Sequence, residues 1–349
     1  MFAKKINEPK DLVFIGIIFF LLLYSVFVLR SIAPFLFPTY LFYIGFSVFI
    51  FFLFSKVSFN IFRIFSKQFY IGSIVLLILP VIIGQITRGT IRWINFGPLT
   101  IQPSEIIRPF LFIFFADFLA GENLKINKFF KSILLFLLPF ILILIQPSLG
   151  VATLTAIGFL GIIFASNFNK KYLVLAFLPL LFVIPLIWSI LAPYQQQRVM
   201  TFLNPQSDPF GGGYNSMQSM IAVGSGKFWG RGLGKGVQTQ LSFLPERHTD
   251  FIFASISEEL GFFGSIVLVV GLLLLLYKLA SFINKTDDIA ARAFISGLFL
   301  VLLVQSVVHI GMNMGLLPIT GVTLPLVSAG GSSLIATMMS LGIVLGSIK

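Results

Sequence analysis

The sequence predicts an all-α polytopic membrane protein of about ten transmembrane helices, with one long extracytoplasmic loop and both termini cytoplasmic. Three observations carry that prediction. Charged residues make up only 10% of the 349 positions, against about a quarter in a soluble domain. Hydrophobic residues make up 57% and the mean hydropathy is +1.02. Apolar runs such as 12–29 and 172–191 recur along the whole chain, long enough to cross about 30 Å of hydrocarbon as helices. The runs are continuous instead of alternating with period two, which excludes a transmembrane β-barrel. The absence of cysteine leaves neither a disulfide frame nor a thiolate metal site.

The spans are expected at 12–29, 35–54, 69–86, 106–120, 130–146, 149–166, 172–192, 250–277, 290–313 and 322–346. The first follows Lys4, Lys5 and Lys10 but exceeds a signal-peptide core and has no small-residue cleavage site after it, so it reads as a retained helix. With the N-terminus inside, the inner segments collect most of the basic residues, among them Lys56, Arg63, Lys67, Lys128, Lys170, Lys278 and Arg292. The short outer segments hold only Arg30, Arg88 and Arg92. This asymmetry sets both termini in the cytoplasm, and it accounts for the net charge of +12 without invoking nucleic acid. Three non-apolar segments then lie outside: 87–105, 193–249 and 314–321. The longest is rich in Gly, Pro, Gln and Asn, and a loop of that length is usually functional. No internal repeat or linker divides the chain, so residues 1–349 are read as one membrane domain.

Ionisable groups at membrane depth are costly and mark function by default. The fourth span opens Gln102-Pro103-Ser104-Glu105-Ile-Ile-Arg108, with Glu105 and Arg108 at i, i+3, a spacing that permits an ion pair. The alternative is a carboxylate favoured by the helix dipole beside a snorkelling arginine. Gln305, His309 and Asn313 form an i, i+4, i+8 stripe in the ninth span, the usual pattern of inter-helix hydrogen bonds. His309 as a proton carrier is the other reading. The two histidines, His248 and His309, have no ligand-spaced partner, so no metal-binding residue is assigned.

The run 224–236 is rich in glycine and carries Lys227, Arg231 and Lys235. Gly236 stands where a Walker motif needs Ser or Thr. Its backbone N–H groups and basic side chains could cradle a pyrophosphate, or the run is a flexible connection. The richest stretch is Pro245-Glu-Arg-His248-Thr-Asp250, followed by Glu258 and Glu259. Asp250 and Glu258 are eight residues apart, so a continuous helix would place them on one face. Thr249 or Asp250 suits the N-cap of the eighth span, and an Asp half-buried at the membrane surface also suits a general base. Glu258 and Glu259 precede a long apolar run and are expected to pair inside the bundle.

Taken together, these motifs resemble the SEDS family (shape, elongation, division and sporulation), the RodA/FtsW/SpoVE group, and within it the RodA branch. The matching segments are Arg92-Trp-Ile-Asn-Phe-Gly97, Gln102-Pro-Ser-Glu105, Gly213-Tyr-Asn-Ser-Met-Gln218, Ile221-Ala-Val-Gly-Ser-Gly226, Leu244 to Ala254, Glu258-Glu-Leu-Gly261, Gly315 to Pro325 and Gly330-Gly-Ser-Ser333. Gln146-Pro147, Phe202-Leu-Asn-Pro205 and Asp208-Pro209 point to the RodA side. Ser148 stands where the family usually has Asp, Arg108 where it has Lys, and Ala329 where it has Tyr.

The resemblance implies a peptidoglycan glycosyltransferase that polymerises lipid II into β-1,4 glycan during cell elongation. It would work at the outer face of the bacterial cytoplasmic membrane, beside a class B penicillin-binding protein transpeptidase and other elongation-complex membrane proteins. An α-linked donor and a β-linked product require one inverting displacement. Asp250 is then the expected general base, with Glu105 and Arg108 orienting it. Arg92, Arg198, Lys227, Arg231, His248 and Ser104 are the candidates for binding the substrate and its pyrophosphate. A divalent cation (Mg or Mn) is an alternative stabiliser of the leaving group, and no organic cofactor is implied. Glu258, Glu259, Gln305, His309 and Asn313 are expected to be structural polar groups. A lipid II flippase, or a non-catalytic scaffold for a penicillin-binding protein, is the alternative reading. The clustering of polar residues at the outer boundary favours surface chemistry over transport.

Overall fold

The computed structural model describes residues 9–83, 92–97, 99–121, 126–167, 193–204, 208 and 211–348. The expected span at 172–192 lies outside the described residues. The chain begins with α1 (Pro9–Ile32), α2 (Phe37–Ser55), α3 (Phe59–Ile64) and α4 (Ser66–Ile83). A two-stranded antiparallel hairpin follows, β1 (Ile94–Phe96) with β2 (Leu99–Ile101), then α5 (Pro103–Ile106), α6 (Arg108–Phe118), α7 (Ile126–Ile145) and α8 (Leu149–Ala165). The segment expected to be one long loop carries α9 (Pro193–Leu203), α10 (Gly212–Ser225) and α11 (Val237–Gln240). The C-terminal helices are α12 (Ile252–Lys285), α13 (Ile289–Asn313) and α14 (Gly331–Ser347). Among the described residues, five helical stretches are long and apolar enough to cross a membrane, and three shorter helices are similarly apolar. The chain is a multi-pass membrane protein.

Two helix pairs form the backbone of the bundle, α8 against α13 and α2 against α14. Lipid tails are as apolar as leucine, so close contact between helices depends on small residues and packing. A β-carbon on Gly161 would stand 2.8 Å from the Ser296 carbonyl, and one on Gly342 would stand 2.5 Å from that of Phe51. Neither pair could approach as closely with alanine there. At one end of the bundle Arg63 bridges Asp117 (3.0 Å) and Asp288 (3.4 Å), tying the ends of α6 and α13 together.

The structure departs from the sequence reading at three places near the other end. The fourth span starts earlier than expected, at Pro103, with Ile107 (φ −75°, ψ −19°) carrying helical backbone from α5 into α6. The last span is helical only from Gly331: Pro325 lacks an N–H donor and Leu326 (φ +62°) adopts a left-handed conformation. The eighth span starts at Ile252 with Phe251 as its N-cap, so neither Thr249 nor Asp250 caps it and Asp250 precedes the helix. Non-helical backbone is tolerated near the membrane where protein or a water-filled cavity surrounds it. Here it forms cavity walls.

Candidate functional site

The cavity measures about 510 Å³, within the range of small-molecule sites. Its walls come from the start of α2, from Arg92 and Trp93, from the hairpin end through Glu105, and from 147–151 before and within α8. Gln195 and Arg198 of α9, the 246–250 turn, and the segments 318–323 and 329–333 complete it. Asp250, Glu105, Arg92, Arg198 and His248 therefore share one cavity.

The turn that presents Asp250 is held by its backbone. Three successive carbonyls accept hydrogen bonds from other elements: His248 O from Ala329 N (2.9 Å), Thr249 O from Ser328 Oγ (2.8 Å) and Asp250 O from Asn313 Nδ2 (3.0 Å). The Asp250 N–H donates to Glu246 O at 3.1 Å. Gly321 lies beside the carboxylate, so that a β-carbon there would come within 3.7 Å of Asp250 Oδ2. With the peptide groups committed to the scaffold, the side chain is directed to the cavity.

The stripe on α13 fixes the walls on either side. Gln305 Nε2 donates to Thr323 O (2.8 Å), His309 Nδ1 lies 2.7 Å from Val322 O, and Asn313 Nδ2 also donates to His309 O (2.8 Å). Asn313 Oδ1 accepts the Ala254 N–H at 3.0 Å. One stripe thus reads both the irregular leg after α13 and the start of α12.

Glu105 and Arg108 form a buried ion pair, Nη2 to Oε2 at 2.6 Å, with side-chain exposures of 9% and 6%. Glu105 faces the cavity and Arg108 stands behind it. Arg108 Nη1 and Ser104 Oγ are buried without a hydrogen-bond partner among the described residues, and Ser104 does not line the cavity. The Arg92 guanidinium lies 5.9 Å from the Trp93 ring centroid. Arg198 Nη1 donates to Ile319 O at 3.3 Å, and His248 Nε2 is 3.6 Å from Glu246 Oε2.

Lys227 and Arg231, the other candidates for the pyrophosphate, do not line this cavity. Their glycine-rich run is spliced into a break in α12 at Gly261, which has φ +67° and ψ −162°. Arg231 N and Gly232 N donate to Glu258 O and Glu259 O (2.9 and 3.0 Å), while Phe262 N and Phe263 N donate to Lys227 O and Phe228 O (2.9 and 3.1 Å). Two N–H groups of the glycine-rich run thus satisfy carbonyls of α12 left open by the break. Gly230 (φ +81°) and Gly261 approach each other too closely for any side chain on either. Below the splice, Glu258 accepts Gln238 N, Thr239 N and Thr239 Oγ1 (2.9, 2.9 and 2.7 Å). Glu259 accepts Ser31 Oγ (2.6 Å) and Gln240 Nε2 (2.7 Å). Both carboxylates are buried and fasten α11 to α12. They do not line the cavity.

Sequence reasoning missed Tyr43, whose hydroxyl donates to Thr100 O (3.0 Å) and accepts Thr100 N–H (2.9 Å) at the cavity wall. It also missed Ser332, which receives Gln102 N–H at 2.8 Å. Of the departures from the family pattern, Ser148 Oγ accepts Gln102 Nε2 at 3.0 Å, and Ala329 lines the cavity.

Comparison with known proteins matches residues 10–348 to the family model of cell cycle proteins covering FtsW, RodA and SpoVE. The peptidoglycan glycosyltransferase MrdB of Escherichia coli K12 is 40% identical over 285 residues, covering 80% of this chain and 76% of the relative. The probable peptidoglycan glycosyltransferase FtsW of Wigglesworthia glossinidia brevipalpis is 36% identical over 316 residues, covering 88% and 82%. Among solved structures, a chain of a peptidoglycan synthase complex, described as coordinating polymerization and crosslinking, superposes with TM-score 0.83 at 30% identity over 96% of both chains. The rod shape determining protein RodA of Thermus thermophilus superposes with TM-score 0.73 at 27% identity, over 96% of this chain and 95% of its own.

Proposed function

This chain belongs to the FtsW/RodA/SpoVE family of cell cycle proteins, and from that premise we propose that it is a peptidoglycan glycosyltransferase polymerising lipid II. The observation that carries the proposal is that Asp250 shares one cavity with Arg92 and Arg198. A carboxylate and two guanidiniums in one cavity suit a displacement that removes a proton from the acceptor and releases pyrophosphate from the donor. The relatives named as peptidoglycan glycosyltransferases support the same reaction class.

In the proposed reaction Asp250 accepts the proton of the acceptor sugar's 4-hydroxyl as its oxygen attacks the donor's anomeric carbon. The bond to the lipid pyrophosphate breaks with inversion, giving a β-1,4 linkage. Arg92 and Arg198 stabilise the charge that develops on the leaving pyrophosphate. The pinned backbone of 248–250 keeps the carboxylate in place without reorganisation at each turnover. Glu105 and Arg108 brace the wall beside it. Among the described residues no group of three or more His, Asp or Glu side chains forms a metal cage. A Mg or Mn ion held mainly by the substrate's pyrophosphate would need only one or two carboxylates, and Asp250 and Glu105 line the cavity.

The cavity faces outward in the bacterial cytoplasmic membrane under this reading, as the basic residues of the opposite segments favour. A class B penicillin-binding protein would receive the glycan for crosslinking, a pairing supported by the synthase complex to which this fold is similar. The test is polymerisation of labelled lipid II by the purified protein in the presence of moenomycin. Asp250-dependent glycan supports the proposal, and lipid translocation without polymer refutes it.

A further inference from the structure

The splice leaves an exposed aromatic and basic surface that the cavity does not use. Phe228 and Trp229 project from the inserted loop and are 53% and 73% exposed. They pack on Phe262 and Phe263 of α12, with ring centroids 5.8 and 5.9 Å apart. Lys227, Arg231 and Lys235 are exposed on the same loop. Lys227 and Lys235 make no side-chain hydrogen bond or ion pair among the described residues.

The position of this surface along α12 follows from helix geometry. The apolar stretch from Phe262 to Tyr277 rises about 23 Å, and Lys278, snorkelling to the opposite interface, completes the hydrocarbon core of about 30 Å. Its outward residues, Ile266, Val270, Leu273 and Leu274, are exposed and apolar, and Lys278 closes its far end. Phe262 and Phe263 therefore mark the membrane boundary on the Asp250 side. Trp229 suits that level because its ring is apolar and its indole N–H is polar, and the three phenylalanines give it an apolar bed. A lysine there meets phosphodiester groups and not water alone.

We propose that Phe228, Trp229, Lys227 and Lys235 form a docking surface for anionic phospholipid headgroups at the membrane boundary on the Asp250 side. The aromatic pair seats in the upper acyl region, continuous with the lipid-facing side of α12. The two unpaired ammonium groups complement the phosphates above it. Four backbone hydrogen bonds hold the loop to α12, so the surface is fixed relative to the helix that begins beside Asp250. The inference rests on the membrane span alone and is independent of the proposed enzymatic activity.

The test uses the full-length chain in phosphatidylcholine vesicles with and without phosphatidylglycerol. Lipids brominated near the headgroup end or near the terminal methyl act as quenchers. The Trp229 signal is the emission of the wild type minus that of Trp229→Phe. Quenching should be strongest for bromine near the headgroup end, and aqueous iodide should have little effect. In parallel, the Lys227→Gln/Lys235→Gln variant should retain less phosphatidylglycerol relative to phosphatidylcholine than the wild type, by about fivefold per lysine. Unchanged melting of both variants would show that folding is intact. Trp229 open to iodide and untouched by bromine at either depth overturns the proposal, as does equal lipid retention by the lysine variant. Shielding that appears only when a transpeptidase is added assigns the surface to a protein partner and overturns it as well.

Discussion

Asn313 reads both sides of the junction at which α12 begins. Its Nδ2 donates to the Asp250 carbonyl at 3.0 Å, and its Oδ1 accepts the Ala254 N–H at 3.0 Å. A single amide thus fixes the last turn of the 246–250 segment and the first turn of the helix after it. Asn313→Ala leaves two buried backbone groups unpaired, a cost of about 1–3 kcal/mol. It should lower kcat about 10–100-fold by misplacing the carboxylate, with KM for lipid II little changed. Asn313→Asp keeps the acceptor for Ala254 but loses the donor to Asp250, so it should also be impaired. Steady-state polymerisation kinetics read both variants.

Glu105 and Arg108 should behave as one unit. Glu105→Ala strands a buried guanidinium, and breaking such a pair costs about 3–5 kcal/mol. The double variant Glu105→Ala/Arg108→Ala should be less unstable than the two single losses summed. Thermal unfolding of all three in detergent measures the coupling. Additive losses would show that the 2.6 Å contact contributes no coupling.

Glu258 should matter to stability and not to the reaction. Glu258→Ala removes three hydrogen bonds to a buried carboxylate, at about 1.5–3 kcal/mol for the strongest of them. The melting temperature should fall, and the 226–240 loop should become open to limited proteolysis. Material that remains folded should still polymerise lipid II, because Glu258 does not line the cavity.

Arg92 and Arg198 should each contribute to transition-state stabilisation. Replacing either by Ala should reduce kcat about 10²–10³-fold, the range for a preorganised charge-stabilising donor. Lysine should restore part of the loss, because it keeps the charge but not the planar fork. The readout is single-turnover release of the undecaprenyl pyrophosphate.

Much of this architecture was legible in the residues. Continuous apolar runs specify spans whatever their packing, and the i, i+4, i+8 spacing of Gln305, His309 and Asn313 marked one face of α13. What that face binds was not legible, because its partners are backbone groups of Thr323, Val322 and Asp250, which carry no side-chain signature. The helical start at Ile252 was hidden for a related reason. Thr249 and Asp250 have good capping side chains, but the carbonyls of 248–250 are held by Ala329, Ser328 and Asn313, and that tertiary pinning overrides the local preference. The glycine-rich run was read by composition as a phosphate cradle or a tether. Its function as a splice depends on a break at Gly261 that a single helical-looking stretch does not reveal.

Glycan formation from labelled lipid II by purified Asp250→Asn tests most directly whether the Asp250 carboxylate is the base of the polymerising reaction. The substitution keeps the size and the pinned backbone but removes the basic group. With Asp250 as the base, polymer should fall about 10²–10⁴-fold, the contribution of a general base, with lipid II binding and melting temperature retained. Polymer formed at the wild-type rate by that variant would contradict it.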